Sequence, residues 1–324
     1  MINISNTKIK AVDLPRVRGD YRESYNISQN SWFNCGGKCD VFFKPKDVDD
    51  LHYFLENYDK SISITTIGAL SNTLIRDGGY RGVIIKLGRE FADIKLQNNI
   101  IQCGSAVLDY NLANFALENS ISGFEFLIGI PGSVGGNVIM NAGCYGSEIS
   151  EIFTSLTGFS YDGEYKIISK KDVNFVYRSS NLNNIIITNV DFAAKKSYYN
   201  QILKKNNEIK AKRDETHPIK QKTCGSTFKN PTSNDVLDTN RYAIIPKAWE
   251  LIKNCIKNDK GGDYKIGGAF FSTKHYNFMI NDGTATASDI ENLGNYVQKK
   301  VLEDCGVYLK WEIKFIGEFI DDKN

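Results

Sequence analysis

A glycine-rich segment at residues 129–146 constrains the fold of this chain more than any other feature of its sequence. It holds six of the 27 glycines within 18 residues. Glycine permits positive φ angles and leaves room for another group to approach the main chain closely. The segment follows an apolar run and leads into Val134–Met140, which is predicted to form a short helix after Gly132-Ser133. This order is expected to place free backbone N–H groups at the turn.

Two interpretations of this segment differ in what the glycines are for. A tight turn with a close-packed helix start is the simpler one, but it explains less well the stiff Pro131 and the accompanying small and amide residues. The spacing matches neither GxGxxG nor GxxxxGK[ST], so Rossmann and P-loop folds are not supported. We therefore predict that the turn wraps the phosphates of a nucleotide-type cofactor in another fold. The residues predicted to bind are Ile130, Pro131, Gly132, Ser133, Gly135, Gly136, Asn141 and Gly143.

A second turn of small residues occurs earlier in the chain, after a strand predicted around Ile62 and Ile64. Its residues are Gly68, Ala69, Leu70, Ser71 and Asn72. Two backbone turns of this kind suit the two halves of a long cofactor. Neither turn is specific by itself.

Composition sets the class of protein. A chain of 324 residues with 41% hydrophobic and 24% charged residues is expected to form two or three lobes with real cores. The formal charge of +2 does not favour nucleic acid as a partner. No apolar run is long enough to span a membrane and no signal-peptide core begins the chain, so a cytoplasmic location is expected. Seven scattered cysteines and three histidines predict neither a disulfide framework nor a metal site.

Hydrophobic periodicity predicts an α+β fold, because short strands outnumber helices in the first 195 residues. Helices are predicted at 46–58, 108–117 and 248–256, a hairpin at Asn98-Asn99, and strands at 152–159, 165–168 and 185–192. Ser288 and Glu291 are the two ends of a predicted capping box for a helix. Alternating apolar residues predict a last strand over 307–315.

The segment 195–222 holds nine Lys or Arg residues against three acids. This charge could indicate a nucleic-acid surface. Because Ile202, Leu203 and Ile209 give the segment an apolar face, an amphipathic helix with a solvated basic side is favoured instead.

Three residues are candidates for chemistry: Ser226 in a glycine-flanked loop, Arg178, and Glu312 between two lysines on a strand face. Each also has an ordinary structural explanation, as a turn hydroxyl, a surface cation and a carboxylate paired with Lys310 or Lys314. No GxSxG motif supports a hydrolase triad. Composition and spacing alone do not decide between these alternatives.

A set of ordered motifs favours the catalytic explanation of these three residues over the structural one. The motifs are Gly129-Ile130-Pro131-Gly132-Ser133-Val134-Gly135-Gly136, Asn141-Ala142-Gly143, Tyr177-Arg178-Ser179, Gly225-Ser226-Thr227-Phe228-Lys229-Asn230-Pro231 and Trp311-Glu312-Ile313-Lys314-Phe315-Ile316-Gly317. Together they resemble the UDP-N-acetylenolpyruvoylglucosamine reductase family over roughly residues 30 to 317, in the family's order.

The resemblance implies a flavin fold of the vanillyl-alcohol-oxidase type, with non-covalent FAD, NADPH as reductant and a UDP-sugar as substrate. It places Arg178, Ser226 and Glu312 at the catalytic positions: Ser226 would donate the proton, and the other two would stabilise an enolate. The residues that it places near the substrate are Tyr177, Lys229, Asn230 and His275. The family's variant with an extra tyrosine-bearing loop does not fit between Tyr177 and Ser226, so the chain resembles the shorter type. A monomer is expected.

The same resemblance implies an order of domains along the chain. We expect a tail at 1–20, an FAD-binding domain at 21–197 with two subdomains that meet near residue 90, a connecting helix at 198–213, a substrate-binding domain at 214–305, and a carboxy-terminal strand at 306–324 that returns to the active site.

Two other functions compete with the reductase. An alcohol oxidase of the same fold often tethers its flavin covalently, for which the amino-terminal half offers only His52 as a histidine. A non-catalytic protein that binds nucleotide sugars would need none of the three candidate residues for turnover.

Overall fold

The computed structural model describes residues 8–256 and 264–320. The first seven residues of the expected tail and the last four of the expected carboxy-terminal strand lie outside the described residues. The helices are α1 Val48–Asn57, α2 Asp109–Glu118, α3 Val134–Met140, α4 Ile149–Ile152, α5 Tyr199–Thr216, α6 Ala248–Cys255 and α7 Ala287–Cys305. The strands are β1 Asp20–Asn26, β2 Lys38–Lys44, β3 Ile64–Ile67, β4 Thr73–Ile75, β5 Tyr80–Lys86, β6 Ile94–Gln97, β7 Ile100–Gly104, β8 Ile121–Ser122, β9 Gly143–Cys144, β10 Ser147–Glu148, β11 Phe153–Ser160, β12 Tyr165–Ser169, β13 Ile185–Ala193, β14 Lys195–Lys196, β15 Lys265–Ile266, β16 Ala269–Phe271, β17 Met279–Asn281 and β18 Lys314–Ile316.

The chain forms two compact units. The first unit contains residues 1–25, 39–69 and 81–213, and the second contains residues 26–38, 70–80 and 214–324. Helices and strands occur in both, so the α+β prediction is confirmed. Within the described residues, no helix has the length and apolar content needed to cross a bilayer.

Two sheets carry the first unit. One has the order β1-β2-β5-β3 and packs against α1, whose Leu51, Phe54 and Leu55 are fully buried. The other has the order β12-β11-β13-β7-β6 and shares a core with α2 and α3. The predicted hairpin at Asn98-Asn99 joins β6 to β7, and both asparagines have positive φ, as a tight two-residue turn requires.

The second unit has its own core, in which α6 and α7 pack over the sheet β15-β16-β17. A short parallel pair, β18 with β4, joins residues 314–316 to residues 73–75. The predicted strand over 307–315 is shorter in the structure: only Lys314–Ile316 is a strand, and Val307 and Trp311 each form an isolated bridge. The alternation correctly marked Val307, Leu309 and Ile313 as buried, although the backbone pairing breaks between them.

The start of α7 differs from its prediction. The helix begins at Ala287, and its capping box pairs Thr286 with Asp289 rather than Ser288 with Glu291. Glu291 is buried and makes a bidentate ion pair with Arg76, with N–O distances of 2.9 and 3.0 Å. A sequence pattern cannot reveal this competing partner, because Arg76 lies 215 residues away.

Gly294 on α7 sets the position of Trp311. A Cβ atom at residue 294 would lie 1.9 Å from Cη2 of Trp311, far inside van der Waals contact. We expect Gly294→Ala to reduce the free energy of unfolding by about 1–3 kcal/mol, despite the helix propensity of alanine, because the indole ring must move. Urea unfolding measures this change. Asn295→Ala, at an exposed position of the same helix, is the matched control and should be neutral or slightly stabilising. An unchanged unfolding midpoint for Gly294→Ala would contradict the packing described.

Candidate functional site

The central glycine turn of the first unit lies along the segment 105–109. Val134 N donates to Val107 O at 2.9 Å, Gly135 N to Ser105 O at 2.9 Å, and Asp109 N to Gly132 O at 3.2 Å. The N–H groups of Gly132, Ser133 and Gly136 have no acceptor among the described residues. Three such donors at one turn are available to an anion.

The glycines of this turn serve two purposes. A Cβ at Gly132 would lie 2.5 Å from Asp109 Oδ2, and one at Gly135 would lie 3.0 Å from the Cβ of Ser105, so close packing requires glycine there. A Cβ at Gly136 would meet only Ser133 Oγ, at 3.7 Å, so this residue faces open space. The simple packing interpretation therefore holds for two of these glycines, whereas the third leaves room for a ligand.

Positive φ, one of the two general reasons for glycine, does not apply to most of these glycines. Within residues 129–146 only Asn141, Tyr145 and Gly146 have positive φ. Asn141 ends α3 in the left-handed conformation, at φ 41°. Its amide donates to Val176 O at 3.1 Å and accepts from Ser150 N at 3.0 Å. The side chain of Asn141 thus links the end of α3 by a hydrogen bond to the turn that carries Arg178.

Within the first unit, Gly68 of the earlier small-residue turn lies against Ser133 of the glycine turn. A Cβ at Gly68 would lie 2.6 Å from Ser133 Oγ. Lys86 donates from its ammonium to the carbonyl of Gly68. Burial and the neighbouring charge of Lys44 lower the pKa of Lys86. Gly68, with Ala69 beside it, therefore packs against the residue that precedes α3.

Arg178 occupies a strained turn in the first unit. Val176 and Ser179 bond each other's backbones at 3.0 and 3.1 Å, and Arg178 between them has φ 54°. Its Nη2 donates to Gly143 O at 2.6 Å, and its guanidinium lies 4.9 Å from the ring centre of Tyr177. A non-glycine residue at this φ costs about 1–2 kcal/mol. Strain of this kind persists where the surrounding contacts enforce it, which is frequent at functional sites.

A second arginine lies in the same part of the first unit. Burial raises the pKa of the Cys144 thiol to about 12, and the charges of Arg178 and Arg213 oppose that rise. Both guanidinium groups are therefore close to Cys144. The Nε atom of Arg213 is buried without a hydrogen-bond partner among the described residues. Arg213 gave no signal in the sequence, because it lies in the basic segment 195–222, whose charge pattern predicts a solvated helix face.

Ser226 lies in the second unit on a loop that is fixed on both sides. Its backbone bridges Phe278, and Thr227 N donates to Asn277 O at 2.7 Å. The Asn277 side chain, which is 4% exposed, bonds both the N–H and the carbonyl of Phe228, at 3.0 and 2.7 Å. No described residue bonds the Ser226 hydroxyl, which stays available to a ligand. Asn277 is a positioning residue that gave no signal in the sequence.

The structure brings Glu312 next to this loop. Glu312 N donates to Thr227 O at 2.8 Å, and the bridge between Phe228 and Trp311 continues the pairing. Asn72 donates from its amide to the carbonyl of Glu312 at 3.0 Å. Lys310, one of the two expected partners of Glu312, is paired with the buried Asp235 at 2.5 Å.

The other expected substrate residues occupy distinct places. Within the second unit, His275 packs on Phe278 with ring centres 4.6 Å apart, beside the residue that bridges Ser226. Burial lowers the pKa of His275. Lys229 N donates to Lys310 O at 2.8 Å, and Asn230 Oδ1 accepts from Ala248 N at 3.2 Å. Tyr177 is 44% exposed and belongs to the first unit.

His52, the residue on which a covalent-flavin oxidase would depend, lies on α1 in a structural environment. Its ring stacks on Phe159 at 4.9 Å and an 18° angle, and its Nε2 lies 3.4 Å from a carboxylate oxygen of Glu56. These contacts account for the residue without a flavin.

Comparison with known proteins gives matches in both units. Residues 39–169 match the family described as an FAD binding domain, and residues 217–316 match the UDP-N-acetylenolpyruvoylglucosamine reductase C-terminal domain. The fold and these matches define an oxidoreductase that uses FAD.

Similar proteins identify the family. The UDP-N-acetylenolpyruvoylglucosamine reductase of Rickettsia typhi is 46% identical over 310 residues, which cover 95% of this chain and 99% of that protein. The enzyme of the same name from Rickettsia rickettsii is 48% identical over 307 residues, covering 94% and 98%. The crystal structure of the reductase from Thermus caldophilus aligns with a TM-score of 0.75 and 25% identity, over 93% of this chain and 100% of that one. This chain therefore belongs to the UDP-N-acetylenolpyruvoylglucosamine reductase family, which confirms the resemblance seen in the motifs.

Proposed function

We propose that this protein uses FAD and NADPH to reduce the enolpyruvyl group of UDP-N-acetylglucosamine enolpyruvate, giving UDP-N-acetylmuramate for peptidoglycan precursor synthesis. Family membership over nearly the whole chain supports the reaction. The observation that carries the assignment of residues is the pairing of the Ser226 loop with the Glu312 segment, through the 2.8 Å bond from Glu312 N to Thr227 O.

The turn of the first unit fits a dinucleotide cofactor. Its three unbonded N–H groups suit a diphosphate, and open space at Gly136 lets that group approach the main chain. We assign Gly132, Ser133 and Gly136 to this contact, with Gly135 as the close-packed support. Ile130, Pro131, Gly143 and the turn Gly68, Ala69, Leu70, Ser71 and Asn72 complete the proposed cofactor-binding set. Asn141 acts within it by fixing the turn that carries Arg178.

The bound FAD supplies hydride chemistry, and the protein supplies charge and a proton. Reduction of the vinyl group develops negative charge on the substrate carboxylate. The planar guanidinium of Arg178 suits a carboxylate, and the contacts of the neighbouring residues fix the turn that carries it. Glu312 is proposed to share in stabilising the enolate.

Ser226 is the proposed proton donor to the carbon that bears the carboxylate. A serine hydroxyl is a weak acid, so this step needs a strongly basic enolate carbon and a hydroxyl held within reach. The bonds from Asn277 to the residues that follow Ser226 supply this positioning. Tyr177, Lys229, Asn230 and His275 are proposed to bind the sugar nucleotide.

Stepwise anaerobic mixing tests the function. We expect purified protein to carry a flavin absorption band that NADPH bleaches and that UDP-N-acetylglucosamine enolpyruvate restores. Flavin that stays oxidised with NADPH, or that the enolpyruvyl substrate fails to reoxidise, would overturn the assignment. Acid precipitation separates the alcohol-oxidase alternative, because a covalent flavin leaves the yellow colour in the pellet. UDP-N-acetylglucosamine without the enolpyruvyl group is the control and should not reoxidise the flavin.

A further inference from the structure

Several polar side chains are buried beneath the glycine turn of the first unit. Ser105, Asp109 and Asn137 are 5%, 1% and 6% exposed. Both carboxyl oxygens of Asp109, Oγ of Ser105 and Nδ2 of Asn137 have no hydrogen-bond partner among the described residues. A buried polar atom left without a partner costs about 1–3 kcal/mol. Four such atoms in one place therefore require an explanation, and the proposed FAD contacts do not include them.

Asp109 lies directly under the turn. It is the first residue of α2, and its N–H bonds Gly132 O at 3.2 Å. Asp109 Oδ2 and Asn137 Oδ1 lie 2.5 and 2.8 Å from a single point, the place that a Cβ of Gly132 would occupy. Both atoms are acceptors when the carboxyl is ionised, and a carboxylic acid instead offers an O–H donor. A proton on Asp109 therefore adds a donor to a cluster that otherwise presents these two acceptor oxygens to the same point.

The surroundings favour the protonated form of Asp109. Burial raises its pKa to about 8, and the nearby Asn137 amide opposes this rise only in part. The titratable groups that neighbouring strands present to it are the thiols of Cys103 and Cys144, and burial raises the pKa of both, so that they stay neutral. The amino terminus of α2 favours a negative charge at Asp109, but the loss of water around a fully buried carboxylate outweighs this effect.

We propose that Asp109 is a positioning residue for the cofactor, a neutral buried acid that holds Gly132 and Asn137 so that the N–H groups of Ser133 and Gly136 face the FAD diphosphate. This inference rests on the proposed role of that turn in binding FAD. Ionised Asp109 loses the donor that joins it to its neighbours and places a negative charge behind a site for a dianion. Affinity for FAD is therefore full below the pKa of Asp109 and falls as the pH rises above it.

The test measures FAD binding rather than turnover. Apoprotein is titrated with FAD at pH 6 to 9, and the flavin fluorescence gives the dissociation constant. With the carboxyl ionising near pH 8, the dissociation constant of the wild-type protein should rise about tenfold between pH 7 and pH 9. Asp109→Asn cannot ionise and keeps a donor, so its dissociation constant should match the wild type at pH 7 and stay flat to pH 9. Asp93→Asn, whose carboxylate is 80% exposed in the same unit, is the control and should follow the wild-type curve.

The outcomes separate the two proposals. A wild-type dissociation constant that is flat across this range overturns the role of Asp109, whether or not the variant folds. Parallel curves for the wild type and a folded Asp109→Asn overturn it as well, and so does loss of FAD from that folded variant at pH 7. Wild-type protein that binds no FAD at any pH overturns the proposed function, and with it this inference.

Discussion

Ser226→Ala is expected to keep FAD bound and reducible by NADPH, and to slow flavin reoxidation by the enolpyruvyl substrate by about 100- to 10,000-fold, the range for loss of a positioned general acid. The loop should keep its shape, because the main chain at 226–228 is held by Phe278 and Asn277 and the Ser226 hydroxyl bonds no described residue. Removing the hydroxyl thus removes a proton source without removing a structural contact. Stopped-flow absorbance in two half-reactions measures the two effects separately.

Two further variants sharpen this test. Ser226→Cys keeps an acidic hydrogen at the same place and should recover part of the rate. Ser233→Ala, at an exposed serine of the same unit, should leave both half-reactions unchanged. A wild-type rate of reoxidation in Ser226→Ala would show that the serine is not the proton donor. Unchanged behaviour in every assay is what a non-catalytic binding protein would show.

Local patterns predicted most helices and the longer strands of this fold. The interval 46–58 contains α1, the interval 108–117 covers α2 except for its last residue, and α3 has the predicted bounds Val134–Met140. These elements follow from apolar spacing and breaker residues, which act within a few positions. The errors occur where a residue far away in the sequence determines the local structure. The cap of α7 moved to Thr286 and Glu291 paired with Arg76, and the last strand shortened to the residues that pair with β4.

In the candidate site, too, some residues could be predicted from the sequence and others could not. Ordered motifs marked Arg178, Ser226 and Glu312, and the structure joins Ser226 to Glu312 through the backbone of Thr227. Asp109 and Asn277 gave no signal, because an aspartate or asparagine becomes unusual only when tertiary packing buries it. Small residues at Gly104-Ser105-Ala106 after an apolar strand were the one available hint of a second segment under the glycine turn.

The conformation of Arg178 allows its catalytic and structural effects to be measured separately. At φ 54° glycine avoids the strain that arginine bears, so Arg178→Gly gains about 1 kcal/mol from relief. Arg178→Ala keeps the strain, and both variants lose the contacts of the guanidinium, among them the bond to Gly143. We therefore expect Arg178→Gly to exceed Arg178→Ala in free energy of unfolding by about 1 kcal/mol. Both should slow flavin reoxidation by about 100- to 1,000-fold, since each removes a donor aimed at developing charge.

Urea unfolding of the apoproteins and the reoxidation half-reaction measure these two effects. The pair Lys171→Gly and Lys171→Ala is the matched control, because Lys171 is exposed and its φ is not positive. There the glycine variant should be the less stable one, by about 0.5–1 kcal/mol. If Arg178→Gly is also less stable than Arg178→Ala, the turn is not strained and the order of the two variants contradicts the geometry. If the flavin of Arg178→Gly is reoxidised as fast as that of the wild type, Arg178 does not contribute to catalysis. The enolate must then be stabilised by another cation of the chain.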